Sequence, residues 1–305
     1  MDTLSKKEKD AISEALKEYI QKSSSRDEAV KNLKGVSSAT VSNITTGKYE
    51  VVSPKMFRTV KKELLRTDKW KFVETNRYKA MEVTFNDAQE YRNVRWIVGG
   101  AGCGKSASAR VYKEKNENVF IVLCDEDMKK GDFVRAIAES MEIKTAGLTN
   151  RGILEKCIKK LIRFGNALLI FDEGDKLGDN VFHYFINIYN RLEEECGVVF
   201  LSTDYIHHRI QTGLRYSKKG YNEIHSRIGK RFLVLKDNRL LKEKNQEDVY
   251  SICRMNGIDD EDVINGIIEK IAKEDNANRV EDVEFDLRTV KYEIHKIKRQ
   301  KSVLK

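Results

Sequence analysis

The chain has 305 residues, 34% of them charged and 40% apolar, with a net charge of +9. That length allows two or three domains, while no apolar stretch approaches the ~20 residues a bilayer span needs. Residues Met1 to Lys7 hold no apolar signal region, so a soluble cytoplasmic protein without a membrane role is expected. Cys103, Cys124, Cys157, Cys196 and Cys253 are odd in number, scattered and without paired metal-ligand spacing, which fits reduced thiols rather than a disulfide framework. The positive balance suits a polyanion, DNA or RNA before membrane, or an ordinary lysine-rich surface. A single proline among many helix-forming charged residues points to helices around one sheet.

Residues 1–66 read as a small all-α domain. Between Glu8 and Gln21 the apolar positions Ala11, Ile12, Ala15, Leu16, Tyr19 and Ile20 recur at helical spacing. A second helix covers Arg26–Leu33. Gly35-Val36-Ser37 is a turn with Ser37 as N-cap, and a short helix from Ser38 to Ile44 turns Val41 and Ile44 inward. Thr45-Thr46-Gly47 ends it, and Ser53 with Pro54 opens another helix that runs to about Leu65. The run from Gly35 to Gly47 resembles the helix-turn-helix of phage repressors, although Ala29 lies further from Gly35 than that pattern places its small residue. The resemblance implies that Ser38, Thr40 and Asn43 face a DNA groove with Lys48 near phosphates. No arginine lies in that helix, so strong guanine readout is not expected. A helical domain used for protein contact is the alternative.

Residues 67–76 form a polar connector with Trp70 and Phe72, and a helix is expected from Thr84 to Tyr91. Residues 77–236 alternate strand and helix. Strands are expected at Val94–Val98, Val119–Leu123, Ala167–Asp172, Val198–Thr203 and Phe232–Leu235. Helices are expected at Lys105–Lys115, Asp132–Met141, Arg151–Phe164, Val181–Glu195 and His207–Thr212. This alternation predicts an α/β fold with a parallel sheet covered on both faces and ligands outside the strands' carboxyl ends.

The motif that carries chemistry is Gly99-Gly100-Ala101-Gly102-Cys103-Gly104-Lys105-Ser106, a G-x-x-x-x-G-K-S phosphate loop between strand and helix. Gly99 to Gly104, with Ala107 just beyond the motif, would turn N–H groups toward phosphate, and the helix start adds its dipole. Lys105 would reach the β- and γ-phosphates of ATP, and the Ser106 hydroxyl would hold Mg2+. Ala167–Phe171 is an apolar run that ends in Asp172-Glu173. Asp172 is expected to hold Mg2+ and Glu173 to polarise the attacking water. The Cys103 thiol reads as a spacer in the loop rather than a nucleophile.

The order of these parts resembles the AAA+ ATPases, a P-loop AAA+ core. That resemblance implies a polar sensor at the end of the fourth strand, here Thr203. Asn222–Ile228 is similar to the family's S-R-[IF] element, which implies an arginine finger at Arg227, with Arg231 as second choice, inserted into a neighbouring subunit. Residues 237–305 return to helix, at Gln246–Met255, Asp260–Lys273 and Val283–Arg299, and read as a small helical lid domain. Within it Asp286-Leu287-Arg288 resembles the second sensor, which implies that Arg288 contacts the γ-phosphate. The tail Lys296–Lys301 is basic, either a DNA clamp or a solvated end.

A helix-turn-helix, an AAA+ core and a helical lid in this order resemble the family of the phage Mu B target-capture ATPase. The resemblance implies an ATP-dependent, largely non-specific binder of double-stranded DNA that forms a homo-oligomer or filament and delivers DNA to a transposase. Loops of related ATPases that track DNA correspond to Lys129, Lys130 and Arg151. Two other readings share these parts: a helicase loader, and a transcriptional regulator switched by ATP.

Overall fold

The computed structural model describes residues 4–21, 23, 25–67, 70–228, 232–235, 244–274 and 286–303. The chain forms two compact units, Met1–Lys71 and Phe72–Lys305.

The first unit holds α1 (Lys6–Gln21), α2 (Arg26–Asn32), α3 (Ser38–Thr45) and α4 (Pro54–Thr67), with a 3-10 turn at Tyr49–Val51. Ile12 and Leu16 of α1 meet Val41 and Ile44 of α3 and Phe57 and Val60 of α4 in one apolar cluster. Ser13 sits inside it because its hydroxyl donates to the Ile44 carbonyl at 2.8 Å, which satisfies a buried polar group. Ser37 caps α3 by accepting from the Thr40 N–H at 3.2 Å.

The second unit opens with α5, which spans Asn76–Tyr91 and starts eight positions before the Thr84 expected from sequence. Thr75 caps it, accepting from the Tyr78 N–H at 3.1 Å. Tyr78, Met81, Phe85 and Ala88 are its buried face. Five strands follow with their crossover helices: β1 (Val94–Val98), β2 (Val119–Leu123), β3 (Ala167–Asp172), β4 (Cys196–Ser202) and β5 (Phe232–Val234). The sheet order is β2-β3-β4-β1-β5 and the pairs are parallel. Every residue of β3 and β4 is buried, as expected of central strands covered on both faces.

The crossover helices are α6 (Lys105–Lys115), α7 (Lys130–Ser140), α8 (Asn150–Phe164), α9 (Asp179–Leu192), α10 (Tyr205–Arg215) and α11 (Tyr221–Ile228). They split between the faces. Phe133, Ile137, Ile153, Phe182 and Phe185 cover one, and Met81, Phe85, Ala109 and Tyr112 the other. Gly197 of β4 permits the closest of these approaches, because a Cβ there would fall 2.2 Å from the Ala88 carbonyl oxygen of α5. The helix α10 is longer than the expected His207–Thr212, and α11 adds a helix where the sequence reading had only a motif.

The last helices are α12 (Asn245–Met255), α13 (Glu261–Glu274) and α14 (Leu287–Val303), and they belong to the same compact unit as the sheet. Asp248 of α12 accepts from the Asn76 N–H at 2.7 Å and from the Asn76 side chain at 2.8 Å. Arg77 donates through Nε and Nη2 to the Asn245 side chain at 3.1 and 2.8 Å. The start of α5 is thus clasped by α12. Among the described residues, no helix is long and apolar enough to cross a membrane.

Candidate active site

The β1 strand, between β4 and β5 in the sheet, leads from Val98 into the loop of residues 99–104. The Gly99 N–H donates to the Ser202 carbonyl at 3.2 Å and continues the pairing with β4 into the loop. Gly102 and Gly104 have φ of 77° and 100°, the left-handed region that a Cβ disfavours, so these two glycines make the turn possible. The helix α6 starts at Lys105 without a side-chain cap, which leaves its first N–H groups open to an anion. Lys105 folds back over the loop, where its Nζ donates to the carbonyls of Gly99 at 2.6 Å and Gly100 at 2.9 Å. Cys103 is buried, with its sulfur 3.6 Å from that ammonium.

Beyond β4, Asp172 closes β3 with 7% exposure. Burial pushes its carboxyl up, against a hydrogen bond from the Ser106 side chain that lowers it. The structure therefore sets Ser106 near Asp172, two residues read separately from sequence. A hydroxyl and a carboxylate side by side at the loop are a hard-oxygen donor set that fits Mg2+. Glu173 follows in a left-handed conformation, φ 58°, and its N–H donates to Asp172 Oδ1 at 3.1 Å. The Glu173 carboxylate is half-exposed and paired with Lys176.

Thr203 is exposed just past β4. Its N–H donates to Asp175 Oδ2 at 3.2 Å and its hydroxyl donates to the same oxygen. The carboxylate that Thr203 addresses was not anticipated from sequence, where Asp175 has no motif of its own.

The start of α14 lies on the phosphate loop. The Leu287 N–H donates to the Gly102 carbonyl at 3.1 Å, and a Cβ on Gly102 would fall 1.7 Å from Asp286 Oδ1. Arg288, exposed, is the second residue of that helix, and its N–H donates to Asp286 Oδ1 at 2.7 Å. Ala101 is exposed and Ala107 half-buried at the loop's two sides. Arg227 lies in the last turn of α11, but its side chain is outside the described residues, as is Arg231 entirely.

The residues expected to touch DNA divide between the two units. In the first, Ser38 and Lys48 are exposed, while Thr40 and Asn43 are half-buried. The Thr40 hydroxyl is shared with Ser37 at 2.9 Å, so it belongs to the helix cap as much as to the surface. In the second unit, Lys129 and Lys130 sit at the start of α7 and Arg151 at the start of α8. These starts adjoin, because a Cβ on Gly131 would lie 3.0 Å from the Asn150 side chain. The Lys130 ammonium lies over the Tyr184 ring at 5.8 Å. Arg135, which no sequence pattern singled out, shares this edge, with its Nη1 2.9 Å from the same Cβ position.

Residues 88–210 match the family model described as "AAA domain". This segment carries the loop, both carboxylates and Thr203, so the chain contains an AAA-type ATPase domain. No curated protein matches the sequence. Among solved structures, the chain is similar to Cdc6p from Pyrobaculum aerophilum at 16% identity, over 74% of this chain and 69% of that chain, with a TM-score of 0.39. A likeness of that size carries nothing about activity.

Proposed function

We propose that the chain is an ATP-hydrolysing protein that assembles on duplex DNA, largely without sequence preference, and delivers that DNA to a transposase. The observation that carries the ATPase half is the glycine turn with Lys105 folded over it at an uncapped helix start, with Ser106 near Asp172. Loop and hydroxyl follow the end of β1 and the carboxylate ends β3, an arrangement that supports binding of a nucleotide's terminal phosphates there.

Each residue then has a task. The loop N–H groups and the Lys105 ammonium hold phosphate oxygens. Lys105 exchanges the Gly99 and Gly100 carbonyls for a charged acceptor, a stronger hydrogen bond. Ser106 and Asp172 would hold Mg2+, which when bound neutralises charge on the phosphate oxygens. Glu173 orients water once Lys176 lets go of its carboxylate. Thr203 reports on that water through Asp175, Arg288 follows the γ-phosphate from α14, and Arg227 acts on a neighbouring copy's nucleotide. A cation delivered there stabilises transition-state charge.

The DNA half is supported by the net charge of +9 and by the shared edge of Lys129, Lys130, Arg135 and Arg151. Ser38, Thr40, Asn43 and Lys48 would add contacts from the first unit. The transposase half is supported only by domain order and length. Electron microscopy of the protein with random-sequence duplex in ATP, ADP or no nucleotide tests the reading. Filaments coating the DNA only with ATP are expected. Discrete particles or small rings on uncoated DNA would favour a helicase loader or an ATP-switched regulator instead.

A further inference from the structure

Arg209 is enclosed by segments far apart in the chain. Its side chain is 10% exposed, and its guanidinium lies over the Phe182 ring at 4.8 Å. Nη1 donates to the carbonyls of Asp175 at 3.2 Å and Leu177 at 2.5 Å. Nη2 donates to Asp179 Oδ1 at 2.7 Å, and Nε to the Tyr221 hydroxyl at 3.1 Å. The Tyr221 hydroxyl donates in turn to Asp179 Oδ1 at 2.7 Å. Burial raises the Asp179 carboxyl, but the Tyr221 and Arg209 hydrogen bonds outweigh it and hold the group at about 2, so it stays ionised. Only a planar guanidinium offers donors in all these directions at once; an ammonium does not.

The partners share a location. Asp175 and Leu177 lie in the loop that follows Asp172 and Glu173, Asp179 opens α9 just after it, and Asp175 also receives the Thr203 N–H and hydroxyl. Tyr221, 1% exposed, is the first residue of α11. Its ring presses on Gly213 of α10 so closely that a Cβ there would fall 2.1 Å from it. Arg227 lies on α11 about 9 Å further along the axis, at the rise of an α-helix.

We infer that Arg209 is a positioning residue that joins the loop behind the hydrolytic carboxylates to α11, so that events at Asp175 and Thr203 set how α11 is presented to a neighbouring copy. The inference rests on the ATPase reading above and adds a route by which one site informs the next. Nothing in the sequence marks Arg209, because its partners lie 12 to 34 positions away.

The test uses the full-length chain with duplex DNA. Arg209→Met keeps the apolar stem over Phe182, and Tyr221→Phe removes one hydroxyl. Both are expected to keep the parent's circular dichroism and to bind a fluorescent ATP analogue within about two-fold of it. DNA-stimulated kcat falls roughly ten-fold or more with KM unchanged, the pattern of an interaction used only in the transition state. If Arg209→Met does not fold, Tyr221→Phe carries the same comparison.

Mixing locates the lesion. Glu173→Gln copies hold ATP without turnover and keep α11 intact. In excess they should restore turnover to Arg209→Met copies, as they should to Arg227→Ala copies. Parent-like kcat in both Arg209→Met and Tyr221→Phe overturns the coupling. So does rescue of Arg227→Ala without rescue of Arg209→Met; in either case the ATPase reading stands. Rescue of neither removes the bridging arginine and the coupling with it. A parent chain without any turnover overturns the ATPase reading itself.

Discussion

The Leu287 N–H donates to the Gly102 carbonyl at 3.1 Å, so the first turn of the last helix is fastened to the phosphate loop. Gly102 makes room for this. Its missing Cβ leaves space for the Asp286 carboxylate, and its φ of 77° turns the loop. Anything that moves the loop must move α14, and a nucleotide seated on the loop would bear on the helix that carries Arg288. We expect Gly102→Val to weaken ATP binding and to loosen the α14 amides together. Hydrogen exchange with and without ATP checks this, and unchanged α14 protection would disprove the coupling.

Lys105→Ala and Glu173→Gln should fail at different steps. Without its ammonium the loop loses the charge aimed at the terminal phosphates. ATP affinity should fall on the order of 10²-fold, the scale of one preorganised cationic contact, and DNA coating with it. Glu173→Gln should bind ATP like the parent yet turn over roughly 10²–10⁴-fold more slowly, the range for general-base loss, and stay on DNA. Equilibrium binding and single-turnover hydrolysis separate the two; normal turnover in Glu173→Gln would remove that residue from the chemistry.

Asp248→Ala should unclasp α5. Asp248 is 4% exposed and accepts the Asn76 and Arg77 N–H groups at 2.7 and 3.4 Å, so its removal orphans donors at a helix start. A loss of about 1–3 kcal/mol is expected from each buried group left unpaired. Urea unfolding measures it, and a shift below the low end of that range would mean that water replaces the carboxylate.

Gly197→Ala should destabilise by overpacking. The added methyl points at the Ala88 carbonyl, a backbone atom that cannot swing aside. Forced insertions of this kind cost about 1–3 kcal/mol, and the parent's melting temperature should not be recovered by nucleotide.

The thiols give a pH signature. Cys103, Cys124, Cys157, Cys196 and Cys253 are all buried, and burial raises Cys157 and Cys253 to about 11 and Cys196 to about 12. Only the thiolate reacts, so native labelling at pH 8 should be slow and complete only in denaturant. The sign for stability follows. The unfolded chain releases these protons first, so their contribution is full below the ordinary thiol pKa and is lost as pH rises through about 11. Rapid native labelling of Cys157 at pH 8 would contradict the burial.

The five strands could be read in the sequence because apolar runs such as Ala167–Phe171 admit one interpretation between helical segments. The phosphate loop and its two carboxylates could be read because their spacing is set by covalent neighbours. The start of α5 was missed: Tyr78, Met81 and Phe85 do recur at helical spacing, but Thr75 and Asn76 look like more of the polar connector. The Asp248 clasp, the Asp175–Thr203 pair and the Arg209 hub were invisible for a different reason. Each joins residues 12 to 172 positions apart, and a single ordinary Asp or Arg gives no local pattern.

The clasp between Asn76 and Asp248 also bears on how the molecule is made. The partners are 172 positions apart, so during synthesis α5 forms its apolar face long before its first turn can be satisfied. Pairing that distant must wait for loop closure and comes late in folding. A fragment cut to residues 88–210 begins inside α5 and lacks the whole of α12. The stretch that best identifies the domain is therefore shorter than the stretch that can fold, and a truncated chain should be a substrate for proteases rather than a working ATPase.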